Sequence, residues 1–143
     1  NEDKIKRIRD LWKGKLVLKG LESIDDVEIA YRLGIDGVII SNHGGRQVDV
    51  GQATIDSLKS IAPIYKNKLK VMMDSGIRGG ADVARVMANG ADFSFMGRTF
   101  MYGVSALGKK GGNHTIAMLK TQLTQVMEQM SCSEVNDLTK NLI

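Results

Sequence analysis

Short apolar runs alternate with longer stretches of mixed polarity along most of the 143-residue chain. Four of these runs are bounded by turn residues and rich in Val, Ile, Phe or Met, a composition typical of β-strands. They occupy residues 16–18, 37–40, 70–73 and 93–96. Because polar residues do not alternate regularly within the runs, we expect parallel strands that are covered on both faces.

The stretches between the runs repeat apolar residues at the spacing of one helix face. Ser23, with Asp26 three residues later, predicts the start of the helix that follows the first strand, and Gly34 predicts its end. The same periodicity predicts helices around residues 5–12, 55–62, 83–89 and 113–130. The pattern therefore predicts one helix followed by four strand–helix units.

Two of the predicted units begin alike, with Gly-Ile-Asp-Gly at residues 34–37 and Gly-Ala-Asp-Phe at residues 90–93. Strands that alternate with helices at this spacing form right-handed parallel crossovers. The residues alone leave open either a doubly wound sheet or a barrel. Four strands cannot close a barrel by themselves, so a barrel would require a second half of equal size.

The composition favours one folded unit and argues against a nucleic-acid partner. Apolar residues make up 43% of the chain, which is enough for a core. The net charge is +4, but the basic residues are interleaved with 16 acidic ones, and only 5% of residues are aromatic. The single cysteine, Cys132, cannot form an internal disulfide, so we expect a reducing compartment, no metal site and a buried thiol. No apolar run approaches the length of about 20 residues that spans a bilayer.

Polar residues follow every predicted strand. Lys19 follows the first, residues 41–47 the second, residues 74–80 the third, and Gly97 and Arg98 the fourth. The carboxyl ends of parallel strands lie on one rim of an α/β protein, where ligands bind. The sequence therefore predicts a single site built from four strand ends.

The last two of these polar clusters indicate a phosphate site. Their glycines allow backbone N–H groups to approach an anion at a helix start, and Arg78 and Arg98 add charged donors. One glycine-rich turn alone is weak evidence, since such a turn is more often a tight loop. Two of them after consecutive strands, each with an arginine, favour phosphate binding as in phosphate-binding barrels.

The second polar cluster predicts different chemistry. His43 follows an apolar strand, and two glycines separate it from Arg46 on the same rim. A single histidine is more often structural than catalytic. A base beside a carboxylate-binding arginine, however, suits proton abstraction from a small acid.

Residues 41–47, Ser-Asn-His-Gly-Gly-Arg-Gln, resemble the signature of the FMN-dependent 2-hydroxy acid dehydrogenase/oxidase family. The likeness extends over nearly the whole chain, through Val-Leu-Lys-Gly at residues 17–20, Asp-Ser-Gly-Ile-Arg at 74–78 and Met-Gly-Arg at 96–98. Several distinct motifs in the same order make the resemblance specific. It implies an α/β fold in which residues 1–143 are the C-terminal half, strands 5 to 8, of a TIM (β/α)8 barrel.

The resemblance also implies a role for each candidate site residue. His43 would be the catalytic base and Arg46 the substrate-carboxylate ligand, with both contacting the substrate. Lys19 would lie near N1 and O2 of the flavin, where a cation stabilises the charge of the reduced ring. Ser41 would contact the flavin ring and Asp74 the ribityl chain, while the phosphate would be bound by Arg78, Gly97 and Arg98. The remaining implied FMN contacts are Ser75, Gly76 and Ile77.

The activity implied for a full-length parent is oxidation of a small L-2-hydroxy acid, with L-lactate favoured, to the 2-oxo acid. The electron acceptor would be a quinone, a cytochrome or oxygen. Ser75 favours a dehydrogenase, because relatives such as glycolate oxidase often carry glycine there. An oxygen-using oxidase, a non-redox phosphate-binding barrel enzyme and a truncated inactive product remain alternatives. Lys19 and the His43–Arg46 pair distinguish a flavin-dependent redox enzyme from a non-redox phosphate-binding barrel.

In the resembling family, the N-terminal half of the barrel supplies the aspartate that orients the catalytic histidine, together with substrate-binding tyrosines and a further arginine. We therefore expect the 143-residue chain to be inactive alone and to act with the missing N-terminal half, as part of a homo-oligomer. The expected location is cytoplasmic, and peripheral attachment at the inner membrane is the alternative.

Overall fold

The computed structural model describes residues 1–48 and 50–141. They form one parallel four-stranded sheet together with helices. The strands β1 (Val17–Leu21), β2 (Gly37–Ile40), β3 (Lys70–Met73) and β4 (Phe93–Ser94) lie in the order β1-β2-β3-β4. The helices are α1 (Glu2–Leu11), α2 (Ile24–Arg32), α3 (Thr54–Tyr65), α4 (Gly80–Ala88), α5 (Arg98–Leu107) and α6 (Gly111–Gln129). Short 3₁₀ turns cover His43–Gly45, Gly108–Lys110 and Val135–Asn141.

The predicted cap of α2 is confirmed, because Ser23 Oγ accepts a hydrogen bond from the Asp26 N–H at 3.1 Å. After this helix the chain turns at Gly34, which has φ +72° and therefore uses a conformation that favours glycine. The second and third strands begin and end where the apolar runs predict. Short apolar runs bounded by turn residues were therefore sufficient to predict the two central strands of the sheet.

The sequence repeat has a structural basis in two equivalent aspartates. Asp36, before β2, accepts from the Leu16 N–H at 2.9 Å and from Lys15 Nζ at 2.7 Å. Asp92, before β4, accepts in the same way from the Val71 N–H at 2.9 Å and from Lys70 Nζ at 2.8 Å. Each carboxylate therefore ties the start of its own strand to the start of the preceding one, and the predicted repeat is confirmed.

The two faces of the sheet differ in burial. One face packs against the helices, and its side chains at Val38, Ile40 and Val71 are fully buried. The strand register places Val17 and Phe93 on the opposite face, where they are 41% and 56% exposed. In the described part of the chain the expected cover is therefore observed on one face only, and the opposite face is the one that the remaining strands of a barrel would cover.

The sequence pattern was least successful near the fourth strand. β4 covers two residues rather than the predicted 93–96, and β1 extends to Leu21. Helix α5 was not predicted, and it packs no apolar stripe into the core, since Met101 and Tyr102 are 65% and 63% exposed. Helix α6 begins at Gly111, two residues before the predicted start, and the final 3₁₀ turn was also not predicted. Cys132 is buried, as expected.

Helices α5 and α6 cross closely at two glycines. A Cβ atom added to Gly103 would lie 2.1 Å from Thr115 Oγ1 and 3.0 Å from the carbonyl oxygen of Gly111. A Cβ atom at Gly111 would lie 2.2 Å from the Gly103 carbonyl oxygen. Glycine at position 103 therefore permits the backbones to approach, at the expense of helix propensity.

We expect Gly103→Ala to destabilise the protein by about 1–3 kcal/mol, because the methyl group forces the two helices apart. The matched control is Gly112→Ala, since a Cβ atom there meets no atom within 4 Å. That variant should be neutral or more stable by up to about 1 kcal/mol, as alanine favours the helix. Denaturant unfolding monitored by circular dichroism measures both changes, and a stabilised Gly103→Ala variant would contradict the close crossing.

Candidate functional site

Three predicted site residues, one within β1 and one each just after β2 and β3, meet in one network. Lys19 Nζ lies 2.8 Å from Asp74 Oδ2 and donates a hydrogen bond to Ser41 Oγ at 2.7 Å. The parallel register explains this meeting, because Lys19 pairs with Ile39 and the Asp74 N–H donates to the Ile40 carbonyl. The predicted convergence of these strand ends is observed.

The electrostatics of Asp74 favour its charged form. Burial of the carboxyl opposes ionisation, but hydrogen bonds with Lys19, Ser41 and Ser75, together with the charge of Lys19, hold the pKa of Asp74 below its ordinary value. A carboxylate with a lowered pKa stabilises the folded state above the ordinary pKa of aspartate. That contribution is lost as the pH falls through the lowered value. At neutral pH the rim therefore contains an ion pair.

The turn at His43–Gly45 has an unusual backbone. His43, Gly44 and Gly45 have φ values of +57°, +70° and +74°. The left-handed conformation costs a non-glycine residue such as His43 about 1–2 kcal/mol. Side-chain oxygens compensate, because Ser41 Oγ accepts from the His43 N–H at 3.1 Å and Asn42 Oδ1 accepts from the Gly44 N–H at 3.0 Å. The histidine thus lies on a turn that is fixed by its neighbours.

The imidazole of His43 lies against the backbone of β1. A Cβ atom added to Gly20 would lie 2.8 Å from His43 Cε1, and Gly20 also has φ +97°. Both the close approach and the positive φ require glycine at this position. The ring therefore lies beside Gly20, which directly follows Lys19 in the sequence.

Arg46 lies on the same turn, with its side chain exposed. Its Nε donates to the carbonyl oxygen of His43 at 3.3 Å, which holds the start of the guanidinium near the backbone of His43. The planar guanidinium can bind a carboxylate through two parallel hydrogen bonds. A half-buried imidazole and an exposed guanidinium on one turn form a suitable surface for a small acid.

Arg98 connects the fourth strand end to this turn. Its Nη2 donates to the carbonyl oxygen of Gly44 at 2.9 Å, across 54 residues of sequence. The preceding residue, Gly97, is exposed, and a Cβ atom there would meet no atom within 4 Å. The rim therefore combines a charged donor with backbone that a ligand can approach.

The start of α4 differs from the predicted phosphate cradle. The N–H groups of Arg78 and Gly79 donate to Asp82 Oδ2 at 3.0 and 3.2 Å, and the Gly80 N–H donates to Gln122 Oε1 at 2.8 Å. These amides therefore have protein acceptors already. The side chain of Arg78, whose Nη1 donates to its neighbour's carbonyl at 3.2 Å, is left as the charged group of this cluster.

The residues between Asp74 and Arg78 occupy different environments. Ile77 is buried in the main core, with only 2% of the residue exposed, so the structure does not place this predicted cofactor contact on the open rim. Gly76 is exposed, has φ +75° and has no atom within 4 Å of an added Cβ. Ser75 has φ +74° although it is not glycine. Its hydroxyl donates to Asp74 Oδ1 at 2.8 Å and accepts from the Gly44 N–H at 3.1 Å.

Four polar residues of the site were missed by sequence reasoning. Asn42 and Thr54 line a cavity of about 240 Å³ beside Ser75, and Thr54 Oγ1 donates to the Ser75 carbonyl oxygen at 3.4 Å. Asp82 and Gln122 are the acceptors at the start of α4. Asn42, two residues before the first of two glycines, and Asp82, three residues after the N-cap, are local turn and capping signals. Gln122 has no such signal, since its partner is 42 residues away.

Two further properties concern the chain as a whole. Among the residues that the structure describes, no helix is both long and apolar enough to cross a membrane. Within the same ranges, 1–48 and 50–141, no group of three His, Cys, Asp or Glu side chains is placed to hold a metal ion.

Solved structures define the class of protein. A mandelate oxidase crystallised with benzoyl-formic acid superposes with a TM-score of 0.91 at 30% identity, over 96% of this chain and 41% of that chain. A monotopic membrane protein, (S)-mandelate dehydrogenase, superposes with a TM-score of 0.91 at 36% identity, over 96% of this chain and 36% of that one. The sheet is therefore the C-terminal half, strands 5 to 8, of a TIM (β/α)8 barrel.

The family follows from the sequence comparison. The model of the FMN-dependent dehydrogenase family matches residues 1–143, so the chain belongs to that family. The L-lactate dehydrogenase of Alcaligenes faecalis is 39% identical over 136 residues, and that of Bartonella tribocorum is 40% identical over 132 residues. These matches cover 95% and 92% of this chain but only 36% and 34% of the relatives. The chain thus spans about a third of their length.

FMN is the cofactor of this family, and the residues of the rim fit it. A flavin mononucleotide presents a phosphate, a polyhydroxyl chain and a ring that becomes negatively charged on reduction. The cationic side chains of Lys19, Arg78 and Arg98 and the open backbone at Gly76 and Gly97 match these requirements.

Proposed function

We propose that residues 1–143 are the C-terminal half of an FMN-dependent dehydrogenase domain that oxidises a small L-2-hydroxy acid to the 2-oxo acid. The observation that carries the proposal is the turn of His43, whose strained backbone is held by side chains from the same rim as the Lys19–Asp74 pair. The cost of such a backbone is typically tolerated at functional sites. The rest of the domain lies outside this sequence.

FMN, when bound, would accept the two electrons that the substrate loses. We assign Lys19 to the N1 and O2 side of the ring, because its cation opposes the negative charge of the reduced flavin. Ser41 would contact the ring and Asp74 the ribityl chain, with backbone contacts from Ser75 and Gly76. Arg78, Gly97 and Arg98 would hold the phosphate, chiefly through the two guanidinium groups.

His43 is proposed as the base. One imidazole nitrogen would accept one proton from the substrate, and the two electrons and the second hydrogen would leave with the cofactor, while Arg46 holds the substrate carboxylate through its guanidinium. Their shared turn fixes the distance between base and clamp, which supplies orientation before reaction. By resemblance to the family, an aspartate from the other half of the barrel would orient the imidazole.

The favoured substrate is L-lactate, which is supported by relatives named L-lactate dehydrogenase at 39–40% identity. The proposed acceptor is a quinone or a cytochrome. An oxygen-using oxidase is the second candidate, which the similarity to mandelate oxidase favours. We further propose a homo-oligomer of the complete protein, either cytoplasmic or peripheral at the inner membrane.

The proposal is tested on the full-length protein that carries this chain. FMN released by denaturation should be stoichiometric with protein, and 2-oxo acid should form from L-lactate but not from D-lactate. Assays with a quinone analogue, cytochrome and oxygen as the sole acceptor distinguish a dehydrogenase from an oxidase. A flavin-free protein, or one that binds phosphate esters but oxidises no 2-hydroxy acid, would favour a non-redox barrel enzyme instead.

A further inference from the structure

The backbone at Ser75 is in a conformation that glycine would adopt without strain. Its φ of +74° lies in the left-handed region, which non-glycine side chains rarely use. The serine side chain nevertheless makes two hydrogen bonds there, to Asp74 Oδ1 at 2.8 Å and from the Gly44 N–H at 3.1 Å. A strained residue whose hydroxyl both donates and accepts a hydrogen bond indicates that the hydroxyl has a specific task.

The task follows from what the two bonds connect. Asp74 belongs to the ion pair with Lys19. Gly44 directly follows His43 in the turn that also leads to Arg46. Gly44 has no side chain, and a Cβ atom there would lie 2.7 Å from Arg98 Nη2, so this peptide must be held through its N–H and carbonyl groups.

The other acceptor of the Gly44 N–H cannot replace Ser75. Asn42 Oδ1 accepts the same N–H at 3.0 Å, but Asn42 is only two residues away and moves with the turn. Ser75 is 31 residues away at the end of β3, so its bond joins the turn to the sheet. The remaining long-range contact, from Arg98 to the Gly44 carbonyl, uses a side chain that is also proposed to bind phosphate.

We propose that Ser75 is a positioning residue that anchors the turn of His43 and Arg46 to Asp74. Its hydroxyl sets where the base and the carboxylate clamp lie relative to the Lys19–Asp74 pair. This role goes beyond a flavin contact, and it rests on the proposed function only for the roles of His43 and Arg46.

The test compares Ser75→Ala and Ser75→Gly in the full-length, FMN-loaded protein. Both variants remove the hydroxyl, but only glycine also relieves the backbone strain. The control is Ser60→Ala, whose hydroxyl bonds to the Asp56 carbonyl within its own helix. Amide hydrogen exchange of Gly44 is measured without substrate, followed by FMN affinity and the kcat and KM for L-lactate.

Both Ser75 variants should exchange the Gly44 amide about tenfold faster or more, whereas the control should match the wild type. FMN affinity should change by less than about threefold, while kcat/KM falls about tenfold or more through a misplaced turn. Unchanged exchange at Gly44, or weakened FMN binding with a protected turn, would overturn the proposal. If the wild type oxidises no hydroxy acid, the proposed function fails, and the exchange measurement still decides whether Ser75 anchors the turn.

Discussion

Replacement of His43 by glutamine is expected to leave FMN bound while slowing substrate-driven flavin reduction by about 10²–10⁴-fold. Glutamine preserves a polar side chain of similar reach but cannot accept a proton from the substrate. The turn itself should persist, because its hydrogen bonds involve the backbone of His43 and the side chains of Ser41, Asn42 and Ser75. Anaerobic stopped-flow absorbance of the full-length protein measures the reduction rate directly.

The chain provides a matched control in its only other histidine, His114, which is exposed on α6. His114→Gln should reduce its flavin at the wild-type rate. Near-normal reduction in His43→Gln would rule out the assignment of His43 as the base. Loss of FMN in that variant would show that His43 contributes to the cofactor site itself.

Replacement of Arg98 by glutamine is expected to weaken FMN binding by about 10–100-fold. A hydrogen bond to a charged group contributes about 1.5–3 kcal/mol, and about 1.4 kcal/mol corresponds to tenfold in affinity. Fluorescence titration of the apoprotein with FMN measures the dissociation constant. Riboflavin, which lacks the phosphate, should bind the variant and the wild type almost equally.

The surface residue Arg7 on α1 is a suitable control for Arg98, because Arg7→Gln removes the same charge from an exposed helix. That variant should bind FMN like the wild type. Equal FMN affinity in Arg98→Gln and the wild type would argue against the phosphate role. An equal loss for riboflavin would instead assign Arg98 to support of the Gly44 turn.

The parts of the fold that sequence reasoning predicted are those with local causes. β2 and β3 are short apolar runs between turn residues, and Ser23 caps α2 with the residue three positions later. The meeting of Lys19, Ser41 and Asp74 follows from the topology, because parallel strands present their carboxyl ends on one rim. Residue type and the expectation of parallel strands were together enough to predict that these three side chains meet.

The parts that were missed depend on contacts between distant segments. α5 leaves several large apolar side chains exposed and crosses α6 at a glycine, so its packing depends on contacts with another helix that the local pattern does not show. Gln122 satisfies a backbone group 42 residues away. His43 and Ser75 have positive φ angles, which non-glycine residues disfavour. The hydrogen bonds of the site hold these angles, so local propensity could not predict them.

The most direct test of the central claim is anaerobic mixing of the full-length, FMN-loaded protein with excess L-lactate. We predict complete loss of the oxidised-flavin absorbance, with one pyruvate formed per flavin and full recovery when an electron acceptor is added. Flavin that stays oxidised with L-lactate and with larger L-2-hydroxy acids would contradict the proposed chemistry of His43 and Arg46.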